Sequence, residues 1–140
     1  MKKNVLFLCT GNSCRSQMAE GWAKSLKGHS FNFFSAGTKK HGLNPYAVKV
    51  MAEVGVDISH HQSNTTDEFD QKFDYVFTVC SDAHENCPYH HGEKIIHTGF
   101  DDPPRLVVGL SDEEEILAIY RRVRDEIKEM IENIETVMES

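Results

Sequence analysis

The chain has 140 residues, 39% of them hydrophobic and 26% charged, a size and balance that fit one compact domain (1–140) and exclude fibrous and disordered classes. Its 15 Lys and Arg against 22 Asp and Glu give a net charge of -7. That balance argues against nucleic acid or an anionic membrane as partner, and it requires any anionic substrate to be captured by a local positive site.

Met1-Lys2-Lys3 leads into only a short apolar stretch that is interrupted at Gly11. This reads as a buried strand rather than a signal peptide, and no apolar run approaches the roughly 20 residues of a membrane-spanning helix. A cytoplasmic location is therefore expected. There the four cysteines, Cys9, Cys14, Cys80 and Cys87, are mostly reduced, and a structural disulfide framework is not expected.

Asn4 to Cys9 (NVLFLC) is a continuous apolar run, as for a strand covered on both faces. It stops at the turn signal Thr10-Gly11-Asn12. After Ser16 the residues Met18, Ala19, Trp22, Ala23 and Leu26 recur at helical spacing as far as Gly28, so strand, loop and helix follow directly. Phe31 to Ala36 reads as a second strand. Asn44-Pro45 starts a helix carrying Val48, Met51 and Ala52, with Gly55 as its stop. Phe73 to Cys80 is a third strand and Lys94 to His97 a fourth. Ser111-Asp112-Glu113-Glu114 has a capping-box pattern, followed by Ile116, Tyr120, Val123, Ile127, Met130, Ile131 and Ile134 on one face of a long closing helix. Alternating strands and helices imply an α/β domain, a parallel sheet flanked by helices, with ligands bound beyond the carboxyl ends of the strands.

Cys9-Thr10-Gly11-Asn12-Ser13-Cys14-Arg15-Ser16 joins such a strand end to a helix N-terminus, where free backbone N–H groups and the helix dipole favour an anion. Gly11 lets the backbone curl so that successive amides form a nest for a tetrahedral oxyanion, and Arg15 adds a planar fork of charged donors. The same positive surroundings favour Cys9 as a thiolate nucleophile, and Ser16 is placed to hydrogen-bond it. The blander alternative, a strand-end cysteine beside a solvated arginine, ignores the agreement of spacing with context. Cys14 reads as a small thiol tolerated in the loop rather than used.

CTGNSCRSQMAEGW from Cys9, together with FSAG from Phe34, resembles the thioredoxin-coupled arsenate reductases, relatives of the low-molecular-weight tyrosine phosphatases. The resemblance runs along most of the chain. It implies a four-stranded parallel sheet flanked by helices, with the loop 9–16 holding phosphate-like oxyanions.

Asp101-Asp102-Pro103-Pro104 follows the fourth strand, and Pro103 restricts the backbone of Asp102. By spacing alone, an aimed carboxylic acid and an ordinary acidic turn stand level. The resemblance assigns Asp102 as the proton donor to the departing oxygen. It also assigns Cys80 and Cys87 as relay thiols, which as a pair supply the two electrons that convert arsenate to arsenite. If the segment between them were helical, their Cα atoms would lie roughly 10 Å apart, beyond the roughly 7 Å limit of a disulfide, so oxidation must bend or unwind it. Arsenate as substrate, thioredoxin as reductant, a monomer and no tightly bound cofactor are expected.

The closer rival is a phosphatase for phosphotyrosine or small phosphate esters, since one loop hosts both chemistries; weak phosphatase activity is compatible with the first reading. Against it, no tyrosine adjoins Asp102, and a phosphatase needs only one thiol. A zinc module built from Cys80, His84, Cys87, His90 and His91 is the other alternative, although the spacing matches no familiar zinc pattern. The resemblance further points to potassium near the loop through Asn12, Glu20, Ser35 and Asn64. At the last position an Asp is expected, and losing that carboxylate weakens a site for a hard cation. The apolar stretch from Pro103 to Leu110 has no assigned contact.

Overall fold

Val5, Leu6, Phe7 and Leu8 are fully buried, as an unbroken apolar run requires of a strand covered on both faces. They belong to strand β1 (Lys3–Leu8) at the inside of a four-stranded, all-parallel sheet in the computed structural model, which describes residues 2–79 and 92–139. Its neighbours are β2 (Phe31–Ala36), β3 (Phe73–Thr78) and β4 (Gly92–His97), in the order β2-β1-β3-β4. Val5 pairs with Phe33 on one side and Tyr75 on the other. The chain winds outward from β1 to β2 in one direction and from β3 to β4 in the other. The loop after β1 thus stands at the point where strand order reverses, the usual place for a ligand in an open parallel sheet.

Among the described residues five α-helices accompany the sheet: α1 (Arg15–Lys27), α2 (Pro45–Glu53), α3 (Pro103–Leu106), α4 (Glu113–Glu132) and α5 (Ile134–Glu139). The main core joins Val5 and Phe7 to Met18 and Trp22 of α1, Val50 and Met51 of α2, Tyr120, Ile127 and Ile131 of α4, and Ile134 of α5. The opposite face carries a smaller cluster, Leu6, Leu8, Phe73 and Val76, against which Phe34 and Phe69 pack. Polar ties fix the helices as well. Trp22 Nε1 donates to Arg124 O at 3.1 Å, and Arg124 Nη1 donates to Val50 O at 3.0 Å, so α4 holds both α1 and α2. No helix among the described residues is long and apolar enough to cross a membrane.

Element boundaries depart from the sequence reading in physically legible ways. β1 ends at Leu8 rather than Cys9, and Cys9 N makes a last bond to Ala36 O at 3.2 Å before the chain turns into the loop. α1 opens at Arg15, ahead of the expected start, because Met18 N already reaches Cys14 O at 2.9 Å. β3 ends at Thr78, and Cys80, expected at its end, lies outside the described residues. The N-cap of α4 is Asp112, not Ser111: its carboxylate accepts from Glu114 N at 3.1 Å, and Glu113, Glu114 and Glu115 then complement the helix dipole. The closing helix is broken at Asn133, yet its apolar stripe continues through Ile134 and Met138, both buried.

Candidate active site

The loop from Cys9 is built from outside inward. Thr38 N and Lys39 N donate to Thr10 O at 3.0 and 3.2 Å, His41 N to Gly11 O at 3.1 Å, and Asn44 N to Ser13 O at 3.1 Å. In a trans peptide the C=O and the following N–H point in opposite directions. Tying these carbonyls to the strap 38–44 therefore turns the N–H groups of Gly11, Asn12 and Cys14 the other way, as an anion nest needs. Close approach makes Gly37 obligatory: a β-carbon there would sit 2.6 Å from Thr10 O and 2.7 Å from Cys9 O.

Asn12 is the hub of the loop. It is fully buried at φ 47, a left-handed conformation that Asn tolerates better than most residues. Its Oδ1 accepts from Asn64 N at 2.6 Å, its carbonyl accepts from Ser63 Oγ at 2.7 Å, and its Nδ2 donates to Ser16 Oγ at 2.8 Å. That last bond leaves the Ser16 proton available to a neighbour. Gln17 Nε2 donates to Asn12 O at 3.1 Å and to Gln62 O at 3.0 Å. Its Oε1 is then the acceptor for His61 Nδ1 at 2.9 Å, so that ring nitrogen carries the proton. Burial holds the His61 imidazole below its ordinary value, with the Glu20 carboxylate opposing.

Cys9, Cys14, Arg15 and Asp102 line one cavity of about 400 Å³, with Thr10, Gly11 and Ser13 of the loop. Arg15 is buried; its Nη1 donates to Phe100 O at 3.0 Å and its Nη2 lies 3.7 Å from Asp102 Oδ1. The backbone after β4 thereby aims the guanidinium, and the guanidinium in turn holds the carboxyl at the cavity. Asp102 has the extended backbone imposed by Pro103, at φ -92 and ψ 102. Burial pushes the Cys14 thiol well up, with Cys9 and Asp102 adding to the effect, so it stays neutral beside the cup.

The remaining sequence-derived residues divide. Cys80 and Cys87, and the zinc alternative of these two with His84, His90 and His91, lie outside the described residues. The potassium set comes together, but the carboxylate oxygens of Glu20 and Oδ1 of Asn12 already have donors. Ser35 Oγ donates to Glu20 Oε1 at 2.5 Å, Lys24 Nζ lies 2.6 Å from Glu20 Oε2, and Asn64 presents Nδ2 to Gln62 O at 3.1 Å. With an ammonium on the carboxylate and an amide nitrogen where an Asp is expected, Asn12, Glu20, Ser35 and Asn64 do not fit a potassium site. Three cavity residues carried no functional signal in the sequence: His41, Asn44, read only as a helix start, and Pro104. The first two reach the loop only because β1 and β2 pair. Pro104 belongs to the stretch without an assigned contact, whose Val107 and Leu110 pack against the main core while Val108 is exposed.

Residues 4–139 match the low molecular weight phosphotyrosine protein phosphatase family. An arsenate reductase of Bacillus licheniformis is 52% identical over 132 residues, 93% of each chain. One of Halalkalibacterium halodurans is 51% identical over 132 residues, again 93% of each. Among solved structures, an arsenate reductase in the phosphate binding state superposes with a TM-score of 0.78 at 36% identity, covering 96% of both chains. The family match spans nearly the whole chain and the relatives carry the same fold, so this chain belongs to the low molecular weight phosphotyrosine protein phosphatase family.

Proposed function

We propose that the chain is a cytoplasmic arsenate reductase that draws its electrons from thioredoxin. The observation that carries the reading is the convergence of Cys9, Arg15 and Asp102 on one cavity beside the oxyanion loop; the arsenate reductase relatives at about half identity support the choice of substrate.

The Cys9 thiolate attacks arsenic(V) bound in the loop, and a hydroxyl leaves as water with the proton of Asp102, giving a thiol–arsenic adduct. The loop amides and Arg15 stabilise the charge on the remaining oxygens, and Ser16 donates to the Cys9 sulfur. Cys80 then attacks the Cys9 sulfur: an S–S bond forms, the S–As bond breaks, and its electron pair leaves with arsenic as arsenite. Cys87 attacks Cys80, frees Cys9 as a thiolate, and leaves a Cys80–Cys87 disulfide for the thioredoxin dithiol to reduce.

The test is Cys87→Ser. One equivalent of arsenite per enzyme is expected, together with a Cys9–Cys80 disulfide in the peptide mass map. Repeated turnover by this variant with thioredoxin alone contradicts the relay. A second reading, hydrolysis of phosphate esters, is favoured by the family match itself and by the same cup. Among the described residues, however, the cavity lining offers no phenylalanine, tyrosine or tryptophan to grip a phenyl group, so ester turnover is expected to be a weak side activity.

A further inference from the structure

The strap 38–44 does more than tie back the loop carbonyls. His41 is exposed at the cavity mouth, where it lines the same space as Cys9, Arg15 and Asp102. Its ring lies against the loop with Nδ1 foremost: a β-carbon on Gly11 would come within 2.2 Å of His41 Nδ1 and 2.6 Å of its Cγ. The backbone bond from His41 N to Gly11 O, at 3.1 Å, fixes the side chain to the part of the loop that curls around the anion. Glycine at position 11 thus serves two purposes, the curl of the backbone and the space that the imidazole fills.

The chain carries a net charge of -7, so an incoming oxyanion is repelled by most of the surface. Lys39 and Lys40 precede His41 in the strap, and Lys40 is drawn aside to Glu68 at 3.0 Å. His41 is the member whose side chain lines the cavity itself. A tetrahedral anion gripped by the buried Arg15 and the loop amides would turn an oxygen outward, to the side of the cavity where His41 stands.

We infer that His41 is an oxyanion-binding residue, donating a ring N–H to the outward oxygen of the anion held in the Cys9 to Ser16 loop. This rests on the arsenate reading for its substrate, but its chemistry is that of any small tetrahedral oxyanion. The imidazole binds and orients; it takes no part in the transfer of electrons.

The experiment compares wild type with His41→Ala and His41→Phe, measuring the calorimetric dissociation constant of inorganic phosphate and the KM and kcat for arsenate. Phe keeps a ring against Gly11 and lacks the donor. Loss of one hydrogen bond to a charged ligand is expected to weaken phosphate binding about tenfold in both variants, with KM for arsenate rising in step and kcat little changed. Phosphate affinity in His41→Phe equal to wild type means that the ring only packs, and overturns the inference. So does unchanged affinity in both. Should His41→Ala lose its circular dichroism signature, the Phe variant decides alone. If wild type binds phosphate but reduces no arsenate, the proposed function fails while the phosphate constants still judge His41.

Discussion

At the residue scale, the chemistry is set by which groups share a small volume. Asp102 stands at the cavity because Arg15 holds it, with Nη2 at 3.7 Å from Oδ1, and its extended backbone is imposed by Pro103. If it gives its proton to the departing oxygen, Asp102→Asn slows the first single-turnover step by roughly 100-fold, while phosphate binds no more weakly because a negative charge has been removed from the mouth. Rapid-quench measurement of arsenite formation checks this, and a wild-type rate in the variant removes Asp102 from the mechanism. His61 gives a pH prediction of a different kind. Its folded value is lowered by burial, so the unfolded chain takes up a proton below about pH 6.5 that the native protein resists. Native stability therefore falls as pH drops from about 6.5 towards the lowered folded value. His61→Asn keeps a donor for Gln17 Oε1 without a titrating ring, and its urea midpoint is expected to vary less over that interval. An unchanged slope would place the titration elsewhere.

At the scale of elements, the oxyanion loop was legible because its parts are contiguous: strand, Cys9, Gly11, Arg15 and helix follow without interruption. The strand run at 73–78 and the helix start at Asn44-Pro45 were legible for the same local reason, and Gly55 takes the left-handed φ of 81 that ends α2. What the sequence did not disclose depends on pairing between distant segments. The strap 38–44 meets the loop only through the β1–β2 ladder, and the Asn12–Gln17–His61 chain of hydrogen bonds joins residues 44 positions apart at its last step. The break at Asn133 was hidden because the apolar stripe keeps its spacing across it. Gly37 shows how tightly β2 serves the loop. The methyl group of Gly37→Ala would press on backbone atoms of residues 9, 10 and 12, which have little room to give. A loss of about 1–3 kcal/mol is expected in chemical denaturation, together with weaker phosphate binding. Wild-type stability and affinity in that variant would mean that the loop has slack the geometry does not reveal.

At the scale of the whole molecule, the sheet is a device for bringing its carboxyl ends to one edge. β1 delivers Cys9, β2 delivers Gly37 and the strap, and β4 leads to Asp102, so the nucleophile, its cradle and its acid arrive from three parallel strands. An acidic molecule thereby confines its attraction for anions to one cup, where Arg15 is buried at the floor. The same edge suits ester hydrolysis and thiol-based reduction alike, and what divides them is whether further thiols carry the oxidising equivalent away from Cys9. The most direct measurement is NADPH oxidation with thioredoxin and thioredoxin reductase, started by arsenate, run beside release of nitrophenol from a chromogenic phosphate ester. Sustained, arsenate-dependent oxidation that disappears in Cys9→Ser, with only slow ester release, is the predicted result; brisk ester hydrolysis with no response to arsenate would contradict it.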